Sequence, residues 1–98
     1  MRTVVETPTF QKQSASIWTD EEREAFIDWI AIHPEVGDVI PGADGARKLR
    51  WGRAGSGKQG GVRVIYFNLT ERGEVLLVMI YAKAKRENAS TSEIKKAR

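Results

Sequence analysis

Two strand-like runs joined by a short turn constrain this chain more than any other feature. Val62 to Leu69 and Glu74 to Lys83 are dominated by β-branched and aromatic residues, and Thr70-Glu71-Arg72-Gly73 lies between them. Such runs bounded by turn residues read as an antiparallel hairpin, with Gly73 suited to a positive φ. A shorter run, Arg47-Lys48-Leu49-Arg50-Trp51, precedes them, separated by Gly52 to Gly61, which holds five glycines in ten positions. The expected core is therefore a three-stranded sheet with a glycine-rich loop at one end.

Pairing arithmetic on that sheet places charge. A hairpin turning near Arg72 sets Arg63 opposite Tyr81 to Lys83. If the glycine loop closes an antiparallel pair, Arg50 falls opposite Arg63. Arg47, Lys48, Arg50, Arg63 and Lys83 are thus expected to converge, with Arg53 and Lys58 on the loop above them. Like charges across neighbouring strands repel, so a sheet that gathers so many is expected to receive an anion.

The net charge of +3 conceals a division along the chain. Residues 1–44 carry three basic and nine acidic side chains, whereas residues 45–98 carry thirteen basic and four acidic. That split predicts one face for a polyanion and another that the polyanion avoids. Ninety-eight residues suffice for one small domain, 1–98. The absence of cysteine excludes disulfides, thiolate catalysis and Cys-based metal sites, and fits a reducing cytoplasm. No apolar run reaches the roughly 20 residues of a membrane span, and the N-terminus has no apolar signal core. A cytoplasmic protein is expected.

Ahead of the basic strand, Arg2 to Phe10 alternates like a first strand, with Pro8 at an edge or an end. Gln11 to Ile17 reads equally as short helix or loop. Thr19-Asp20-Glu21-Glu22 is a capping box, followed by helical periodicity through about Ile32 that Pro34 stops. The outer, acidic side of Asp20 to Ile32 is a candidate docking surface for a partner, or simply a solvated face. After Lys83, Ser90 or Thr91 is placed to cap a short helix through Glu93, Ile94 and Lys96. The order β-α-(α)-β-β-β-α predicts an α+β fold, a small antiparallel sheet with helices on one side.

Several chemistries drop out. Gly52 to Gln59 imitates a P-loop, but Gln59 stands where Ser or Thr would hold magnesium and the loop leads into a strand. One histidine, His33, and acids concentrated in the other half leave no metal site, triad or carboxylate pair. Arg and Lys chemistry remains. Ribonucleolytic cleavage suits it, because the substrate's own 2′-hydroxyl supplies the nucleophile and clustered cations stabilise the phosphorane. A lysine among other cations has a lowered pKa and can serve as a base. Tyr66 and Tyr81 are candidates for proton transfer or base stacking, with core packing as the alternative. Trp51 reads more readily as packing than as a stacking platform.

At Gly45 to Trp51, Gly57 to Tyr66 and Ile80 to Lys83 the sequence resembles the HigB branch of the RelE/ParE toxin superfamily, and Pro34 to Gly42 resembles the segment before the basic strand in those toxins. The resemblance implies a compact RelE-like α+β fold and a toxin that cleaves messenger RNA on the translating ribosome without metal or cofactor. It also implies neutralisation by a cognate antitoxin, and repression of operator DNA by the pair. By motif position, Arg63 and Lys83 are the catalytic candidates, and Lys48 or Lys58 is the candidate base. Arg47, Arg50, Arg53, Lys85 and Tyr66 are the expected RNA or phosphate contacts. Some members carry a catalytic tyrosine near the C-terminus; none follows Tyr81 here. A gyrase-inhibiting ParE-like toxin and a non-catalytic nucleic-acid or operator binder are the competing readings.

Overall fold

The computed structural model describes residues 1–52, 61–86 and 88–98. Its elements are β1 (Thr3–Glu6), α1 (Pro8–Ala15), α2 (Asp20–Ile32), β2 (Asp38–Val39), β3 (Arg47–Trp51), β4 (Val62–Leu69), β5 (Glu74–Ala82) and α3 (Thr91–Ala97). The strands form one sheet in the order β1-β5-β4-β3-β2.

The hairpin forms as its sequence demands. Gly73 takes φ 66° in the turn, and the register pairs Leu69 with Glu74, Arg63 with Tyr81 and Val62 with Ala82. β3 pairs antiparallel with β4, setting Arg50 opposite Arg63. A bulge interrupts the hairpin: Ile65 faces Met79 and Tyr66 faces Leu77, which leaves Val78 over. Val78 and Met79 consequently pack in the same cluster, with Ile65, Phe67, Tyr81 and Ile94.

Three expectations need correcting. The first strand stops at Glu6, because Thr7 caps α1 by accepting from the Phe10 amide and Pro8 sits in the first turn, where a missing N–H costs nothing. Gln11 to Ala15 is accordingly helical. β1 runs parallel to β5, so the sheet is mixed rather than wholly antiparallel. Helices also cover both faces: α1 and α2 pack over one, while Ile94 of α3 packs over the other. β2 was not foreseen, since a two-residue strand carries no periodicity of its own.

The helix expected at Thr19 is present with both halves of its capping box, Glu22 N–H to Thr19 Oγ1 and Thr19 N–H to Glu22 Oε1, and ends at Ile32. Its inner side places Phe26 and Ile30, both fully buried, over the sheet with Phe10, Val64, Tyr66 and Leu77. Trp51 packs against Phe26 at 5.1 Å and Trp29 at 4.9 Å between ring centroids, so its role is to close this core. α1 lies along β5 beyond the end of β1, where Thr7 Oγ1 donates to the Leu77 carbonyl and Gln13 Oε1 accepts from the Ile80 amide. Side chains of α1 thereby satisfy a sheet edge that β1 is too short to cover. Among the described residues no helix is long and apolar enough to cross a membrane.

Candidate nucleic-acid interface

Strand alternation sorts the basic residues of β3 onto two faces. Leu49 and Trp51 belong with the core under α2, and Arg47, in step with them, sits opposite Tyr66. Lys48 and Arg50 point to the other face, opposite Ile65 and Arg63 respectively. The expected convergence of all five cations is therefore corrected: Lys48, Arg50 and Arg63 share the α3 face, and Arg47 does not.

Arg47 is tied down where it lies. Its guanidinium donates to the carbonyls of Gly37 at 2.7 Å and Glu35 at 3.1 Å. Tyr66 completes the same anchor, accepting from the Gly37 amide and donating to the Pro34 carbonyl, each at 2.9 Å. Tyr66 is fully buried, and that burial pushes its phenol pKa up. No ring face remains for a nucleobase, so the base-stacking expectation for Tyr66 gives way to a structural role. Gly37 is fitted closely to this anchor: a Cβ there would lie 2.9 Å from the Tyr66 hydroxyl.

On the α3 face, Arg50, Arg63 and Tyr81 form a row across β3, β4 and β5. Arg50 is exposed, whereas Arg63 and Tyr81 are each only 6% exposed. Lys48 stands two residues along β3 from this row, its Nζ donating to Asn88 Oδ1 at 2.8 Å. Setting a guanidinium directly opposite another is unfavourable unless something anionic lies between or over them.

Arg86 holds the segment that borders the row. Its guanidinium lies 5.3 Å from the centre of the Tyr81 ring, donates to the Asn88 carbonyl, and forms a two-pronged pair with Glu93 at 2.5 and 3.1 Å. Glu93 also accepts from the Ser90 amide in the capping box of α3. These contacts hold the Glu93 carboxyl down at about 2, with the Arg86 hydrogen bond as the chief cause. For Tyr81, burial outweighs Arg86, a backbone hydrogen bond with Ala89 and Arg63, so its phenol is raised and stays protonated at neutral pH. A buried neutral phenol opposite a guanidinium can give a proton but is poorly placed to take one.

Lys83 and Lys85 lie exposed in the turn after β5, with the Lys83 amide donating to the Gly61 carbonyl at 3.3 Å. Lys58 and Arg53 lie outside the described residues. Arg86, Asn88 and Glu93 were not among the expected site residues. Only the Ser90-x-x-Glu93 capping pattern signalled that this stretch would be held in place.

No family model matches the chain. Solved structures share its architecture at low identity. A double arginine-to-alanine mutant of the E. coli toxin RelE in the free state superposes with a TM-score of 0.67 at 14% identity, covering 97% of this chain and 95% of that one. The toxin–antitoxin complex RelBE of E. coli gives 0.64 at 12% identity, covering 84% and 96%. A metal-bound toxin from Helicobacter pylori gives 0.52 at 12% identity, covering 87% and 98%. The chain has a RelE-like fold.

Proposed function

We propose that this chain is the toxin of a type II toxin–antitoxin pair, of the HigB kind, and that it cleaves messenger RNA on the ribosome. One observation carries the proposal: on a RelE-like sheet, Arg50 and Arg63 stand opposite each other with Tyr81 completing the row and Lys48 beside it. The scissile phosphate occupies the space over Arg50 and Arg63. There the guanidinium of Arg63 stabilises the charge that develops on the phosphorane, a contribution of roughly 10² to 10³ in rate for one well-placed donor.

The substrate's 2′-hydroxyl attacks, so the chain supplies proton transfer and charge rather than a nucleophile. Lys48 is the candidate base among the described residues, and Lys58 shares that role on the glycine loop. Lys83 assists the departing 5′-oxygen, and the neutral Tyr81 phenol is a second donor toward it. Lys85 and Arg53 add phosphate contacts. The chemistry requires no metal or cofactor, because a 2′-hydroxyl and charged side chains account for each proton and each developing charge. In the cell the partners are a cognate antitoxin, the translating ribosome, and operator DNA bound through the toxin–antitoxin pair.

The test is a purified translation system programmed with a defined message, alongside a gyrase supercoiling assay. Cuts that require ribosomes and vanish with Arg63→Ala support the proposal. Inhibition of supercoiling without cuts transfers the chain to the gyrase-directed class. Salt-dependent RNA binding with neither effect makes it a binder.

A further inference from the structure

A groove next to the cationic row shares only Tyr81 and Lys85 with the reaction as proposed. It runs between the last turn of α1 and the far end of β5, lined by Gln13, Ser16, Ile17, Ala82, Lys85 and Arg86. Ile17 gives it an apolar wall and Lys85 gives it a cationic rim. Tyr81, which faces Arg63 across the hairpin, borders it as well. Tyr81 thus adjoins both the cationic row and the groove.

The recognising group is the Gln13 carboxamide. A glutamine side chain offers a carbonyl acceptor on one branch and an amino donor on the other, and a free one turns to suit either kind of base edge. Gln13 cannot turn. Its Oε1 accepts from the Ile80 amide at 2.9 Å, on the part of β5 that β1, paired only with Glu74 to Leu77, does not reach. The orientation follows from chemistry, since a backbone N–H can only bond the oxygen branch. The Nε2 amino group is thereby left as the branch available to a ligand, and it can only donate. Ser16 closes the turn below it, its Oγ donating to the Gln13 carbonyl at 3.0 Å.

A fixed donor discriminates between bases. Guanine and uracil carry a keto oxygen at the purine 6- or pyrimidine 4-position where adenine and cytosine carry an amino group, so a donor held against that position satisfies the first pair and faces a second donor in the other. Reading of unstacked bases by their edges is the ordinary route to sequence preference in single-stranded RNA. Resting on the ribonuclease reading above, we infer that this groove is a nucleobase subsite that selects keto bases, guanine or uracil, through the pinned amide of Gln13. Lys85, exposed at the rim, holds the adjoining phosphate, and Ile17 packs against the base.

The experiment titrates the purified chain with GMP, UMP, AMP and CMP and follows the Gln13 side-chain NH₂ signals and the backbone amides of residues 13–17 by NMR. GMP and UMP are expected to bind about tenfold more tightly than AMP and CMP. Gln13→Glu keeps an oxygen on the Ile80 amide and turns an acceptor to the groove, so the ratio should reverse toward AMP and CMP even as overall affinity falls. Gln13→Leu should abolish the ratio. Equal binding of all four nucleotides by the wild type overturns the subsite, and so does a ratio that Gln13→Glu leaves unchanged in a folded variant. Message cleavage separates this inference from its premise. Nucleotide discrimination with no cleavage leaves the subsite standing and removes the ribonuclease reading. Cleavage with no keto base at a fixed distance from the cut does the reverse.

Discussion

The two faces of the sheet carry similar residues and treat them differently. Under α1 and α2, Arg47 and Tyr66 spend their polar atoms on the backbone of Pro34, Glu35 and Gly37, inside a wall of Phe10, Phe26, Trp29 and Trp51. On the α3 face, Lys48, Arg50 and Arg63 stand together, and the short α3 contributes a single buried side chain, Ile94. The lesson is that a basic strand is not one site. Alternation decides which of its cations are tied into the packed face and which lie on the α3 face, and Arg47 and Lys48, adjacent in the chain, fall on opposite sides of that division.

The largest expected effect breaks the packed face. Phe26→Ala removes a fully buried ring that touches Trp18, Trp29 and Trp51, and should cost about 3–5 kcal/mol in a denaturant melt. For a domain of this size that is a large part of the total stability. Arg63→Ala should do the opposite: cleavage falls roughly 10² to 10³-fold, while the melting midpoint moves less than in Phe26→Ala because no aromatic of the packed core is removed. Equal losses of stability from the two substitutions would erase the contrast between the faces.

A smaller effect sharpens the anchor. Tyr66→Phe leaves the Gly37 amide and Pro34 carbonyl without their partner, which should destabilise by about 1–3 kcal/mol in the same melt with cleavage retained. Loss of cleavage at unchanged stability would return Tyr66 to the site. The smallest effect concerns the clamp on α3. Glu93 titrates at about 2 in the folded chain, below the ordinary value near 4.3. Its contribution is present above that ordinary value and is lost as pH falls toward 2. Hydrogen exchange at α3 should therefore quicken across that acid window, and Glu93→Gln should show the faster exchange already at neutral pH.

Much of this was legible in the sequence because it depends on local chemistry. The Thr70–Gly73 turn sets the register from Leu69 and Glu74 as far as Tyr66, the bulge beyond it adds the one-residue shift that brings Arg63 opposite Tyr81, and the β3 pairing sets Arg50 opposite Arg63. The α2 capping box needed only Thr19 and Glu22. Features that depend on distant partners were not legible. Pro8 reads as a strand end until Thr7 is seen to cap a helix against the Leu77 carbonyl. The fate of Tyr66 rests on a loop near Pro34 folding back over it. The separation of Arg47 from Lys48 was within reach of period-two alternation, whereas the clamp of Arg86 on Glu93 and the pinning of Gln13 against Ile80 carry no motif at all.

If the α3 face cuts RNA as proposed, new 5′ ends should appear on messages in bacteria expressing the chain. Wild type, Arg63→Ala, Lys83→Ala and Arg47→Ala would be compared by primer extension at matched protein levels. The account predicts growth arrest and cuts with the wild type, loss of both in Arg63→Ala and Lys83→Ala, and cuts that persist in whatever Arg47→Ala protein remains folded. Cuts that persist undiminished in a folded Arg63→Ala protein would contradict it.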